Sequence, residues 1–169
     1  MKELITADRS ETASYCDSDR QTKELLNLAV LHWENTPLSK KYIQEALKAA
    51  PESLEVAIAA YRYFFYKQEY NLALQAAEKI VNRITKLENL PSDWQQLKLI
   101  LINKQNDACI RLYVNAYVAS GFILTKLKKF NNAYQIFTRV HEIDNLNEFG
   151  AKTMLDILNN SDNDEQEYN

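Results

Sequence analysis

Two segments of this chain are written to one layout, and that repetition constrains the fold more than any other feature. EYNLALQAAEKIV and KFNNAYQIFTRVHEID each place an aromatic (Tyr70, Phe130) three residues before an alanine (Ala73, Ala133). Four residues on comes Ala77 or Phe137, and three beyond that Ile80 or Val140. Steps of three and four put these side chains on one helix face. Ile43, Ala46 and Pro51 give an earlier copy, 34 residues ahead of EYNLALQAAEKIV. A unit recurring at such a period cannot bury its apolar face alone and must stack on its neighbours.

Composition agrees. Gly occurs twice and Pro three times in 169 residues, too few for hairpin-rich folds or phosphate-cradling loops. Leu, Ala, Lys, Glu, Gln and Asn suit helices joined by short polar turns. TKELLNLAVLHWE carries Leu25, Leu28, Ala29 and His32 at helical spacing, with Thr22 as its cap. Pro37 sits in the first turn of a second helix, Leu38 to Ala49, and Pro51 stops it. Ser53 or Glu52 opens a third helix, to about Lys67, and a fourth runs from Asn71 to Leu87.

Pro91 interrupts again. Helical pattern resumes from Ser92, breaks near 103–107 and continues from Asp107 to Lys128; whether 92–128 is one helix or two stays open. Asn131 is expected to cap a further helix to Ile143, and Glu148 to Leu158 makes the last. The expected organisation is a flexible polar N-terminus (1–19), a single helical domain (20–158) and an acidic disordered tail (159–169). From Ser161 the tail carries Asp162, Asp164, Glu165 and Glu167 and no base, whereas residues 21–160 hold 17 bases against 14 acids.

The fullest copy is NAYVASGFILTKLKKFNNAYQIFTRVHEIDN, in which small Gly121 and Ala133 let helices approach and the larger Tyr117, Leu124, Phe130, Phe137 and Val140 fill the space between pairs. This layout resembles the tetratricopeptide repeat (TPR), a helix–turn–helix unit of about 34 residues. The resemblance implies an all-α fold of antiparallel helix–turn–helix pairs. These would stack as a short TPR-like superhelical array, with an insertion before the last repeat and a C-terminal capping helix. Tyr61 stands where the family favours a small residue, Ser39 replaces its usual alanine, and Asn145 its usual proline. The insertion is residues 88–113, 26 in all, and breaks a regular superhelix.

In TPR proteins the first helix of each pair lines a concave groove that takes an extended peptide or a helix. The resemblance carries that role to Leu28, Leu31 and His32 in the first copy and to Ile58, Arg62, Phe65 and Tyr66 in the second. In the third it falls on Val118, Phe122, Thr125 and Lys126. The family's carboxylate clamp of Lys and Asn is absent, since its places hold Glu24, Leu28, Ile58, Arg62, Val118 and Phe122. An apolar-aromatic lining suits an amphipathic helix or an apolar extended segment. The expected function is therefore a non-enzymatic adaptor or chaperone-like module that binds another protein. Three alternatives stand beside it: a chaperone like the TPR chaperones of type III secretion, a self-associating structural array, in which case a homo-oligomer is expected, and an accessory protein of nitrogen fixation. The last rests on AAPESLEVAIAAYRYFFY and LPSDW, which resemble short TPR-like proteins encoded in nitrogen-fixing bacteria.

No reaction chemistry is legible. His32 and His141 stand outside any HExxH, Cys16 and Cys109 outside any CxxC, and two glycines cannot build a P-loop or a dinucleotide fingerprint. No catalytic residue, metal or cofactor is expected. A net charge of −3 offers no footprint for nucleic acid, and Lys126, Lys128 and Lys129 read as complements to a helix C-terminus. With no leader and no apolar run of membrane-spanning length, a cytoplasmic bacterial protein is expected, without membrane contact.

One stretch divides on a helical wheel. In AAYRYFFY, Tyr61 and Phe64 share an arc with Ala57 and Ala60, which predicts a packing seam. Arg62, Phe65 and Tyr66 are expected to face a partner, and Tyr63 to lie furthest from the seam.

Overall fold

A computed structural model describes the backbone of residues 19–166 and the side chains of 19–160. Among the described residues there are eight α-helices and no strand: α1 (Arg20–Leu31), α2 (Thr36–Ala49), α3 (Leu54–Tyr66), α4 (Tyr70–Leu87), α5 (Trp94–Asn103), α6 (Ala108–Lys126), α7 (Phe130–His141) and α8 (Ala151–Gln166). Residues 92–128 thus form two helices. The expected N-terminal segment, Cys16 included, lies outside the described residues up to position 18. The last helix runs on to Gln166 instead of ending at Leu158.

Short polar side chains start most of these helices. Asp19, Asn35, Ser53, Asp93 and Asp107 each accept a backbone N–H three residues on, at 2.7, 3.2, 3.3, 3.0 and 3.0 Å. A cap of this kind stabilises a helix by about 1 kcal/mol. Two expected caps are corrected. Thr22 sits inside the first turn of α1 and gives its own N–H to Asp19. Asn131 lies within α7, whose N-cap is Lys129 and makes no side-chain bond.

Helix ends repeat as well. After α3, Gln68 takes φ +60, with Gln68 N–H donating to Phe65 O and Glu69 N–H to Phe64 O. After α6, Lys128 takes φ +59, with Lys128 N–H donating to Thr125 O and Lys129 N–H to Leu124 O. These paired bonds form the Schellman closure, here held without glycine.

Burial shows the repeat more sharply than residue identity does. Ser39, Ala73 and Ala133 are each fully buried, as are Ile43, Ala77 and Phe137, and then Ala46, Ile80 and Val140. The first two members of each set are 34 apart and the last two 60 apart, the difference being the 26 inserted residues. Adjacent helices pack as pairs, α1 on α2 and α6 on α7, with α8 added to α7 and α3 set against α2 and α1.

The chain divides into two compact units, residues 1–83 and 84–169. In unit 1, Tyr63 is wholly buried, which overturns the wheel's prediction that it would lie furthest from the seam. A wheel with one buried arc fails here because residues 54 and 56–60 of α3 are all buried, so neighbours cover the helix on more than one side. The Tyr63 ring meets Trp33 edge-on at 5.5 Å and Phe64 at 5.4 Å. Its hydroxyl lies 2.8 Å from Ser39 Oγ and donates to Thr36 O at 3.2 Å. Ser39 thus has a polar partner at the position where the other copies carry alanine. Phe64 is buried as expected, and Tyr61 is half-buried. Lys67 closes the same corner: Nζ donates to Trp33 O at 2.7 Å and Thr36 Oγ1 at 3.1 Å, 4.3 Å from the centre of the Trp33 ring. A salt bridge joins Lys40 to Glu69.

Unit 2 is built round α6, eleven of whose residues are buried. Gly121 marks its closest approach to α7: a Cβ there would meet Phe137 Cε1 at 2.8 Å and Ile136 Cγ2 at 3.1 Å. The inserted α5 is pinned by its first turn. Trp94 Nε1 donates to Glu142 Oε2 at 3.1 Å, Lys98 Nζ donates to the same oxygen at 2.9 Å, and the Arg139 guanidinium lies 5.3 Å from the centre of the Trp94 ring. Asp144, buried, closes the turn before α8 by accepting from Glu148 N and Phe149 N, both at 2.8 Å.

Candidate partner-binding face

The ten residues expected to line a groove separate by unit. In unit 1 α3 packs against α1, and the expected residues pair at equivalent places 34 apart: Leu28 with Arg62, Leu31 with Phe65, His32 with Tyr66. Leu31 is 71% exposed and Tyr66 48%. Both end their helices, where the chain turns away and leaves their apolar bodies to solvent. Phe65 is half-buried at the centre of an aromatic group, with ring centres 6.2 Å from Tyr61, 6.1 Å from Tyr66 and 6.0 Å from Tyr70. His32 stacks on Tyr42 of α2 at 5.7 Å, which fixes its ring from behind. Leu28 and Arg62 are half-buried, and Ile58 is buried and offers no surface.

Equivalent places in unit 2 are largely used by their own helix pair. Val118 is buried, and the Phe122 ring meets Phe137 edge-on at 5.3 Å. Thr125 Oγ1 donates back to Gly121 O at 3.1 Å, and only Lys126 is fully exposed. The accessible apolar members of the predicted set therefore concentrate on unit 1.

Titratable groups with displaced pKa values serve packing. Burial pushes the Tyr113 phenol up to about 12 and raises those of Tyr61 and Tyr63. Lys98, then Trp94, holds the Glu142 carboxyl below its usual range by donating to it. Among the described residues no group of three or more His, Cys, Asp or Glu could hold a metal ion. One helix, α6, is long and apolar enough to cross a membrane by length and composition, which corrects the expectation that no such run exists. Its burial within unit 2 is that of a core helix. Sequence reading passed over it because Asn115, Ser120 and Thr125 interrupt the apolar letters.

Sequence reasoning missed the Ser39–Tyr63–Thr36–Lys67 corner. The signal available was Ser39 itself, a hydroxyl at a position where the other copies bury alanine.

Among the described residues the geometry defines an all-α protein of adjacently packed helices, with burial repeating through three copies and with Leu31 and Tyr66 exposed at helix ends of its first unit. No protein-family model matches the chain, and no solved structure matches it significantly. Among curated proteins it is similar to one from Azotobacter chroococcum mcd 1, the "uncharacterized 19.8 kDa protein in nifW 5′ region", at 28% identity over 117 residues, or 68% of this chain. The match spans 66% of that protein's length.

Proposed function

We propose that this chain is a non-enzymatic, TPR-like interaction module whose α1–α3 face binds an apolar segment or amphipathic helix of another protein. The observation that carries the reading is the pair Leu31 and Tyr66, exposed at the ends of α1 and α3 beside the partly open Phe65 ring. A leucine 71% exposed and a tyrosine 48% exposed at their helix ends leave apolar surface that folding does not bury. Covering a side chain of this size is worth about 1.5–3 kcal/mol, so the pair offers anchor energy to a ligand with matching apolar residues. His32 and Arg62 supply a polar rim to the anchors, and Leu28 adds apolar surface. The test is affinity capture by the wild-type chain and by a Leu31→Ala, Tyr66→Ala variant: a specific protein held by the first and lost by the second supports the face, and equal capture by both refutes it.

A second, broader reading concerns context. Likeness to a protein in the nifW 5′ region favours a partner that works in nitrogen fixation. Deleting the gene and measuring nitrogenase activity in the native cell tests it. Unchanged activity under fixing conditions counts against it.

A further inference from the structure

Unit 2 carries a basic surface that its described acids leave unanswered. Lys126, Lys128 and Lys129 crowd the turn between α6 and α7 and are all exposed. Among the described residues none of the three side chains has an ion pair or hydrogen bond. The sequence assigned them to the carbonyls ending α6, yet those ends are closed by backbone N–H groups of Leu127, Lys128 and Lys129. The described acids of this unit are committed elsewhere: Glu88 to Lys104, Glu142 to Lys98, Glu148 to Arg111, and Asp93, Asp107 and Asp144 to backbone N–H groups. Only Asp156 remains. Next to the lysines α7 opens with Phe130, 49% exposed, and Tyr134, 43% exposed, one turn apart on the helix.

We infer that this basic-aromatic surface docks an acidic segment of a partner protein bearing an apolar anchor. Charge complementarity selects the occupant. Three ammonium groups without a partner among the described residues repel other cations and attract carboxylates at a distance, while Phe130 and Tyr134 give an apolar anchor something to bury against. Nucleic acid fits less well, because three lysines are a small patch on a chain of net charge −3. The surface belongs to different residues from the α1–α3 face, so either can fail without the other.

The probe is a fluorescein-labelled peptide of repeating Glu-Glu-Leu, titrated with the full chain and read by anisotropy. Expected are saturable binding that weakens with added salt, a loss of about tenfold in affinity for Lys128→Glu with Lys129→Glu, and a smaller loss for the neutral Lys128→Gln, Lys129→Gln pair. Tyr134→Ala also weakens it, and Lys48→Gln, at an exposed lysine of unit 1 outside both surfaces, leaves it unchanged. Circular dichroism melting of each variant checks that the fold persists. Any of four results overturns the proposal: no binding at low salt, equal binding by the charge-reversed variant, an oligothymidylate of equal charge binding as tightly, or carbodiimide cross-links from Lys128 or Lys129 to the chain's own residues 162–167 that saturating peptide does not reduce.

Discussion

Replacing Tyr63 by phenylalanine isolates the buried hydroxyl that links α3 to Ser39 and Thr36 of α2. The ring is fully buried and keeps its packing on Trp33 and Phe64, so only the hydroxyl is lost. Three oxygens meet there: Tyr63 OH and Ser39 Oγ at 2.8 Å, each 3.2 Å from Thr36 O. Two hydroxyl hydrogens can make two bonds at once. Without the phenol Ser39 still donates to Thr36 O, so one neutral bond disappears, costing about 1 kcal/mol. Tyr63→Ala removes the ring as well and costs about 3–5 kcal/mol. The assay is urea unfolding followed by Trp33 fluorescence in a Trp94→Phe background, which confines the signal to unit 1. Tyr66→Phe and Tyr66→Ala are the controls, and Tyr66→Phe should shift stability by no more than about 0.5 kcal/mol. If Tyr63→Phe matches Tyr66→Phe, the hydroxyl makes no useful bond; if Tyr63→Ala is no worse than Tyr66→Ala, Tyr63 is not core.

Gly121→Val should destabilise unit 2 by about 1–3 kcal/mol through overpacking against the buried Phe137 ring, read from Trp94 fluorescence; an unchanged midpoint refutes the close approach. Because the Glu142 carboxyl is held below its ordinary value, its contribution is present above the unfolded pKa near 4.5 and lost as pH falls through the lower folded value. Acidification should therefore loosen α5 and shift Trp94 emission, and Glu142→Gln should remove that pH dependence; a transition identical in wild type and variant contradicts the assignment. The Tyr113 phenol, raised to about 12, favours the folded state fully below pH 10 and loses that effect as pH rises through its folded value. Absorbance titration should show a late-ionising fraction, to which the raised Tyr61 and Tyr63 also contribute, and Tyr113→Phe should reduce it by one phenol.

Much of the helical order was legible because capping, proline and three-four spacing act locally. Ser53, Asp107 and the break at 103–107 are read directly from side-chain chemistry. The miscast caps, Thr22 and Asn131, share one cause: several polar residues compete near a helix start, and backbone geometry decides which becomes the cap. Tyr63 fails for a tertiary reason. The wheel allowed one buried arc, whereas α3 is covered on more than one side and the partners that satisfy the Tyr63 hydroxyl, Ser39 and Thr36, lie 24 and 27 residues upstream. The site was legible in part. Leu31 and Tyr66 are exposed, whereas Ile58 and its repeat equivalent Val118 are buried and Phe122 packs on Phe137. Sequence equivalence specifies which helix face a residue joins; neighbouring side chains decide how much of it stays open.

The most direct test of the central claim pairs binding with stability in the Leu31→Ala, Tyr66→Ala variant. Leu31 stands largely in solvent and Tyr66 about half, so the melting temperature should fall only slightly while the partner captured by the wild-type chain is lost. A variant that retains that partner at full affinity, or loses it only because the fold has melted, contradicts the claim.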